Sequence, residues 1–471
     1  MRIAKRVAKN TSVLIIADLL KSMLYFILVI YIARYLGIAG FGKYSFAVNF
    51  TLLAGILPDM GLSYLYIRDV SRNRGKAKKY MSNFIAIKSV LSVITLSLIV
   101  TAINFMNYPA DTTLAVYGMA VYMILMSFHE LFRSSFHAFE KMEYDAVVKI
   151  VERVILFSAG MYALFAGFGL MTIVLVSVFA AIVGFGLSGF LMIWRFVRPT
   201  ISLDWKFCKN SILKAFPFAM TVIFALIYFG IDSVMLSIMV GDAPVGIYNA
   251  AYNLILGVMI IPMAFTAAIY PLLSRYFKTS KDSLKFLYEK SMKYLVLLAI
   301  PAGFVITLLA SKIVDFLYGP EYNASVFALQ LLVWGGVAWF VSMGISTTLR
   351  SVNRQKTMAW IATSAALLNI VLNIVLIPYM SFIGAGIATV ITEFFVLFAC
   401  LYKLSGTLPL PRMQKTIMTS LFSSILTVAF IYFFMDLHVL LLIMMALVYF
   451  PLLFVLRGFD KKDFDVLKEI F

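Results

Sequence analysis

Charged side chains interrupt five apolar segments in the first third of the sequence, and their types define the chemistry open to this chain. A charge in a hydrocarbon core costs at least ~2.5–3.5 kcal/mol to insert, so each one needs a partner or a task. Cations in a low-dielectric cleft bind phosphate strongly, whereas neighbouring carboxylates orient the cations or carry a coupling H⁺ or Na⁺. The predicted ligand-binding cations are Lys21, Lys88 and Arg153. The predicted charge-pairing or ion-coupling acids are Asp18, Asp59 and Glu152.

The same side chains also fit a structural interpretation, in which neighbouring ions neutralise one another. Asp18 and Lys21 are spaced i, i+3 and can meet on one helix face. The predicted pairs are Asp18 with Lys21, Asp59 with Lys88, and Glu152 with Arg153 or Lys149. Glu130, in the fourth segment, lies at the same depth as the others. A layer of charges at one depth favours a hydrated cavity, and both interpretations stay open.

A basic stripe continues along the fourth segment, where His129, Arg133 and His137 are spaced i, i+4, i+8. Residues at this spacing share one helix face. The stripe approaches the end of its segment, and long basic side chains near such ends extend their charged groups to the interface. We therefore expect these side chains to snorkel.

The elements that position these residues are membrane-spanning helices. The chain is 63% hydrophobic and 13% charged, whereas a soluble domain is about half apolar and a quarter charged. A helix needs roughly 20 apolar residues to cross the hydrocarbon core. The sequence therefore predicts an all-α polytopic membrane protein with about 14 transmembrane helices. These lie near 12–36, 44–67, 80–104, 113–137, 145–167, 171–195, 211–238, 245–272, 289–311, 325–350, 357–378, 382–403, 414–435 and 437–457.

Basic residues are concentrated in alternate loops, which predicts the topology. Arg34, Lys43 and Lys312 are the only cations in the other set of loops. Loops rich in Lys and Arg stay in the cytosol, so we expect a multi-pass protein of the cell membrane with both termini cytosolic. The net charge of +18 is then explained by topology and anionic lipid headgroups, without nucleic acid.

An internal repeat organises the chain. Ten of thirty residues are identical when positions 37–66 are laid over 241–270, a shift of 204 residues that spans six helices. Because six is even, the two copies share one orientation, with a symmetry axis along the membrane normal. The predicted parts are an N-lobe at 1–195 (helices 1–6), a cytosolic linker at 196–210, a C-lobe at 211–403 (helices 7–12), and helices 13–14 with a cytosolic tail at 404–471.

The repeat pairs two kinds of residue that bear on transport. Asn49 and Asn253 are predicted substrate-binding groups on helices 2 and 8, and interhelical packing is the alternative. Pro58 and Pro262 occupy equivalent depths in the same two helices. A proline inside a helix removes a backbone hydrogen bond and kinks it. We predict a hinge at each proline, with a static kink as the alternative.

Short motifs resemble those of a transporter family. They are Ala33-Arg34-Tyr35-Leu36-Gly37, Gly40-Phe41-Gly42-x-Tyr44, Asp59-x-Gly61-Leu62 with Arg68, and Gly384-Ala385-Gly386-Ile387-Ala388-Thr389. The chain resembles the polysaccharide and oligosaccharide flippases, including O-antigen flippases, of the multidrug/oligosaccharidyl-lipid/polysaccharide exporter superfamily. The resemblance implies two six-helix bundles and alternating-access transfer of a polyprenyl-(di)phosphate-linked oligosaccharide from the cytosolic to the outer leaflet, for cell-surface polysaccharide or glycan biosynthesis. It also implies that cavity cations engage the diphosphate.

Two other functions remain open at this point. A cation-coupled multidrug exporter of the same superfamily is the first, although a cationic layer disfavours organic cations. A membrane-embedded polysaccharide polymerase or glycosyltransferase is the second, but it needs a sizeable outer domain and the outer loops here are short. We predict a transporter and not an enzyme, with no catalytic residue, no metal site and no cofactor beyond a coupling H⁺ or Na⁺.

The expected partners follow from this interpretation. They are the lipid-linked saccharide and membrane lipids, together with a glycan polymerase or glycosyltransferases. We expect the chain to act as a monomer.

Overall fold

The computed structural model describes residues 2–200, 203–456 and 458, and no β-strand occurs in these ranges. An apolar chain in lipid must satisfy its backbone polar groups internally, which a helix does within one segment. The α-helices are α1 (Arg2–Ala54), α2 (Leu62–Arg72), α3 (Ala77–Phe105), α4 (Ala110–Ala138), α5 (Met142–Phe165), α6 (Leu170–Arg195), α7 (Trp205–Val240), α8 (Asp242–Val258), α9 (Ile260–Thr279), α10 (Lys281–Tyr318), α11 (Ala324–Ser351), α12 (Gln355–Ser405), α13 (Gln414–Tyr432), α14 (Val439–Met445) and α15 (Tyr449–Val455).

The predicted all-helical membrane fold is confirmed, and each of the fourteen predicted segments falls on a described helix or pair of helices. In the described chain, nine helical stretches are long and apolar enough to cross a membrane. Two of the nine, α1 and α12, are broken at Gly37 and Ser381, so each forms two segments. The remaining segments are α5, α7 and the path from α14 to α15. The predicted tail residues 459–471 lie outside the described residues.

Both prolines of the repeat lie at interruptions of their helices. Pro58 falls within residues 55–61, a non-helical turn between α1 and α2 in which Met60 and Gly61 have φ values of 44° and 78°. Pro262 is the third residue of α9, just after the break at Met259 that ends α8. At Pro58 the structure interrupts a helix that was expected to be continuous. At Pro262 the stretch Asp242–Thr279 stays helical on both sides of a single break at Met259. The hinge role stays a prediction.

Four residues make the repeat visible as a reciprocal contact within the first part of the chain. A Cβ added to Gly42 would clash with the carbonyl oxygen of Asp242, and one added to Gly246 would clash with that of Ile38. Gly42 and Gly246 are 204 residues apart, and so are Ile38 and Asp242, so each copy of the repeat supplies the equivalent glycine and the equivalent carbonyl. Only glycine permits backbones to approach this closely.

The described chain divides into two compact units, the first running to Gly246 and the second beginning at Ile247. The lobe boundaries predicted from the repeat stay a prediction. Within the first unit, one buried apolar cluster surrounds Tyr66, Phe84 and Phe136, and another surrounds Phe46 and Ile103. Lys88 of α3 and Glu130 of α4 fall between the buried residues of these two clusters. Arg133 and His137 lie among the α4 residues of the first cluster.

The segment that enters α7 is anchored on the first turns of α3. The backbone N–H of Thr200 donates to Ser82 Oγ at 2.8 Å, and that of Asp204 donates to Asn83 Oδ1 at 2.8 Å. Lys79 Nζ lies 2.8 Å from Asp204 Oδ2. The hydrogen bond from Lys79 holds the pKa of Asp204 below its ordinary value, assisted by the N–H of the first helical turn. The linker predicted at 196–210 therefore includes the start of α7.

In the second unit, α13 turns a face of small hydroxyl residues inward. Ser420, Ser424 and Thr427 are fully buried, and each of the last two donates to the carbonyl four residues earlier. Tyr449 of α15 shares a hydrogen bond with Ser420 at 2.8 Å and donates to the carbonyl of Leu297 at 2.8 Å. Small residues let helices pack closely in a membrane. Met418, Phe422 and Ile425 of α13 face outward.

Candidate functional site

A cavity of about 430 Å³ opens within the first unit. Its lining comes mainly from the second half of α1, the turn that follows it, and α4. Lys21 from the first half of α1, Tyr64 of α2 and Leu226 of α7 complete it. The charged and polar side chains on its wall are Lys21, Thr51, Asp59, Tyr64, Tyr122, Ser127, Glu130 and Arg133. Methionines and aliphatic residues complete the lining. Apolar walls with a few convergent polar groups are typical of ligand sites.

Asp59 and Lys88 form a buried ion pair beside this cavity. Lys88 Nζ lies 2.5 Å from Asp59 Oδ1, and the Lys88 side chain has no exposed surface. Ser63 Oγ donates to the same carboxylate at 2.6 Å. Asp59 lies in the non-helical turn that precedes α2, where its carboxylate meets Lys88 of α3. Asp59 lines the cavity and Lys88 does not, so Lys88 lies behind a carboxylate that neutralises it.

Asp145 is the centre of a second ionic cluster between α4 and α5. Its fully buried carboxylate lies 2.5 Å from Arg133 Nε, 3.3 Å from His137 Nε2 and 3.1 Å from Lys149 Nζ. Lys149 extends the cluster to Asp18 of α1 at 2.8 Å. Three cationic or titratable groups thus converge on one acid. This geometry links three helices and fixes Arg133, which also reaches the cavity wall.

The cluster corrects two expectations. Arg133 and His137 do not snorkel, because both turn toward the buried Asp145. Asp18 pairs with Lys149 of α5 and not with Lys21 on its own helix. An i, i+3 spacing makes a pair geometrically accessible, but the packing of α1 against α5 supplies a competing partner.

His129 and Glu152 form a third buried group, which joins α4, α5 and α6. Neither side chain has more than 1% exposure, and His129 Nε2 lies 3.7 Å from Glu152 Oε2. The other ring nitrogen of His129 lies 3.1 Å from Ser188 Oγ. Gly184 makes room here, since a Cβ at this position would lie 3.2 Å from the Glu152 side chain. His129 was expected to snorkel and is instead fully buried.

Lys21 and Arg153 differ from the other cations of the layer because neither has an ion-pair partner among the described residues. Arg153 is 6% exposed, and its guanidinium carbon lies 4.8 Å from the centre of the Tyr25 ring. Its Nε and Nη1 atoms make no hydrogen bond within the described chain. Lys21 lines the cavity. Two positive charges thus remain available to an anion.

The paired asparagines have the same local geometry. Asn49 Nδ2 donates to the carbonyl of Ser45 at 2.8 Å, and Asn253 Nδ2 donates to that of Asn249 at 2.8 Å. Asn49 Oδ1 also lies close to Gly230 of α7, where an added Cβ would be 3.3 Å away. In both cases the amide group bonds its own helix. This geometry matches the packing alternative at least as well as substrate binding.

The cavity brings together only part of the predicted set. Lys21 and Asp59 line it, and Glu130 and Arg133 join them. Lys88, Arg153, Glu152 and Asp18 contribute to the surrounding charged layer, and Asn253 belongs to the second unit. The central role of Asp145 was missed. Its spacing of i, i+4 to Lys149 was the available signal.

Curated relatives cover most of this chain. A probable low-salt glycan biosynthesis flippase, Agl15 of Haloferax volcanii, is 22% identical over 391 residues, which are 82% of this chain and 80% of the relative. A putative O-antigen transporter of Shigella flexneri is 24% identical over 379 residues, 76% of this chain and 88% of the relative.

Solved structures share the fold. The lipid II flippase MurJ in an inward closed conformation matches with a TM-score of 0.77 and 16% identity, over 93% of this chain and 97% of its own. An inward-facing MATE family multidrug transporter matches with a TM-score of 0.67 and 13% identity, over 82% and 94%.

Family profiles agree with these similarities. The MatE profile matches residues 217–375. The profile described as polysaccharide biosynthesis protein matches residues 7–277, more than half of the sequence. The chain belongs to the polysaccharide biosynthesis protein family.

Proposed function

We propose that the chain is an alternating-access flippase that moves a polyprenyl-(di)phosphate-linked oligosaccharide from the cytosolic to the outer leaflet. The observation that carries the proposal is the cavity of the first unit, where Lys21 has no ion-pair partner among the described residues. Membership of the polysaccharide biosynthesis protein family supports a substrate that carries a saccharide. Relatives named for glycan biosynthesis and O-antigen transport support the same substrate class. The alternation of basic loops supports cytosolic termini in the cell membrane.

The uncompensated cations are the groups that recognise the diphosphate. Lys21 offers a point charge from the cavity wall, and Arg153 offers a planar guanidinium with two unbonded nitrogens. A guanidinium matches phosphate oxygens in a bidentate way, and charge-assisted hydrogen bonds gain strength away from water. Lys88 has a different role, because its charge is already neutralised by Asp59. It is a positioning residue that orients the Asp59 carboxylate.

The carboxylates of the layer are the proposed sites of ion coupling. Glu152 Oε1 is buried without a hydrogen-bond partner in the described chain, and Asp59 lines the cavity. A buried carboxylate with a free oxygen gains a partner when it takes up H⁺ or Na⁺. Flipping by Glu152→Gln would then no longer respond to an imposed proton or sodium gradient, while substrate binding is retained.

The first experiment measures flipping of a fluorescent lipid-linked oligosaccharide in liposomes. Loss of one charge-assisted contact of roughly 1.5–3 kcal/mol lowers substrate affinity by about 10–100-fold. We expect this loss for Lys21→Met and Arg153→Met, and recovery for Lys21→Arg. Lys43→Met is the matched control, since Lys43 pairs with Asp111 and does not line the cavity. Equal activity of the Lys21 variant, the Arg153 variant and the control would exclude the cationic site.

A cation-coupled multidrug exporter is the second candidate. The MatE profile and the MATE structures favour it, and the cavity wall carries two acids beside its two cations. An organic-cation substrate would be repelled by Lys21, so Lys21→Met would then raise transport of a cationic dye. If the chain is a flippase, neither the wild type nor Lys21→Met transports the dye. The same liposomes serve for both assays.

Action as a monomer and cooperation with a glycan polymerase or glycosyltransferases also remain part of this proposal. Action as a monomer is tested in liposomes that each contain at most one copy of the chain, where flipping is expected to persist.

A further inference from the structure

A second cavity of about 650 Å³ lies in the second unit, apart from the charged layer already described. It is lined by the N-terminal part of α10, the segment that precedes α13, the first turns of α13, and Gly458 beyond α15. Its lining residues are Lys285, Glu289, Lys290, Lys293, Pro409, Leu410, Pro411, Arg412, Met413, Lys415, Thr416, Thr419 and Gly458. Every wall belongs to one compact unit, so the cavity needs no other part of the protein.

The wall of this cavity is strongly positive. Among the described lining residues, the cations are Lys285, Lys290, Lys293, Arg412 and Lys415, and the acid is Glu289. Glu289 lies 4.0 Å from Lys285 one turn away, and both side chains are partly exposed. Lys285 and Lys293 lie on the same face of α10 as Glu289, at a spacing of four residues. The described lining thus holds four more cations than acids, together with the hydroxyls of Thr416 and Thr419.

The surroundings of the cavity are apolar. Beyond its first turn α13 exposes Met418, Phe422 and Ile425, with 66%, 55% and 52% of their surfaces accessible. Ser420, Ser423, Ser424 and Thr427 are buried on the opposite face, so this outer face is the surface that meets lipid chains. Phe286 of α10 is also exposed. A ligand of this site therefore meets cations at one end and an apolar helix face at the other.

We propose that this cavity binds the phosphate-bearing headgroup of an anionic lipid, with the acyl or prenyl chain along the outer face of α13. Basic pockets between transmembrane helices bind such headgroups because each Lys or Arg near the surface attracts anionic lipid. The phosphate comes either from a bulk phospholipid or from a polyprenyl diphosphate. The site is separate from the cavity of the first unit, so it stands whether or not the chain flips a saccharide.

The test is native mass spectrometry of the purified full chain with phosphatidylglycerol and with phosphatidylcholine of the same acyl length. The cavity variant combines Lys293→Ala, Arg412→Ala and Lys415→Ala. The matched control combines Lys278→Ala, Lys281→Ala and Lys356→Ala, three exposed cations that do not line the cavity. We expect the wild type and the control to bind phosphatidylglycerol alike. The cavity variant is expected to bind it about 100-fold more weakly, from three lost surface charges.

Competition assigns the source of the phosphate. Displacement of phosphatidylglycerol by a short polyprenyl diphosphate makes the carrier lipid a ligand, and its failure leaves bulk phospholipid as the ligand. Equal loss of binding in the cavity variant and the control would overturn the proposal, as would equal affinity for phosphatidylcholine. Binding of inorganic diphosphate by a protein that binds neither lipid would also overturn the proposal. Unfolding of the three proteins is compared by circular dichroism, and a Lys293→Arg variant is expected to keep full binding.

Discussion

Replacement of Lys88 by methionine tests the buried ion pair most directly, because it removes the ammonium and leaves the Asp59 carboxylate in place. The two charged atoms lie 2.5 Å apart, and the side chains are 0% and 12% exposed. At an effective dielectric constant of about 20, unit charges at this separation attract by about 7 kcal/mol. Much of that attraction offsets the cost of taking both ions out of water. We therefore expect Lys88→Met to lower the free energy of unfolding by about 3–5 kcal/mol.

The double variant separates the energy of the Lys88–Asp59 interaction from the effects of changing each residue alone. With Lys88→Met and Asp59→Asn together no uncompensated ion remains, so most of the lost stability should return. The assay is unfolding of the purified protein by SDS, followed by helical circular dichroism, for the wild type, both single variants and the double variant. Ser63 can donate to the asparagine carbonyl as it does to the carboxylate. Single effects that simply add, or a Lys88→Met protein as stable as the wild type, would refute the reasoning.

Three further predictions concern the first unit. Gly42→Ala forces a side chain into a backbone carbonyl and should markedly lower the unfolding temperature, whereas Gly186→Ala, with nothing within 4 Å of the added carbon, should keep or raise it. Asp204→Asn should be less stable than the wild type at neutral pH, because the hydrogen bond from Lys79 lowers the pKa of Asp204. A lowered pKa stabilises the fold above the ordinary carboxyl value of about 4 and ceases to do so as the pH falls through the folded value, so unfolding temperatures at pH 7 and below 4 should show the gap closing. Asp145→Asn leaves three basic groups without their shared acid and should cost about 3–5 kcal/mol in the same SDS assay; an unchanged midpoint would contradict the cluster.

Apolar run length predicts most of the fold, because the bilayer requires long helices and leaves few alternatives. The repeat added the matched prolines, and both lie at interruptions of their helices. The complete break around Pro58 was not predictable from the proline alone. It also depends on left-handed backbone at Met60 and Gly61, and positive φ at a methionine is set by tertiary packing.

The charged layer was predictable because buried ions in a membrane are costly and therefore few. Its pairing was only partly predictable. Asp59 and Lys88 pair as one alternative proposed, whereas Asp18 selects Lys149 on another helix. Which helices neighbour each other decides such choices, and a single sequence does not contain that information. Asp145 was overlooked for a related reason, since it lies in the first turn of α5 and appears interfacial until α4 covers it.

The reciprocal contact at Gly42 and Gly246 has the form of a homodimer interface. In a twofold dimer, residue i of one subunit meets residue j of the other while j meets i, and Gly42 with Asp242 and Gly246 with Ile38 satisfy this rule within one chain. A half-length ancestor that associated through this helix face would leave the same contact after gene duplication and fusion. In such a dimer every substitution would act on both sides of the interface. Within one chain each side varies independently, and one copy carries an acid at Asp59 where the other carries Met263.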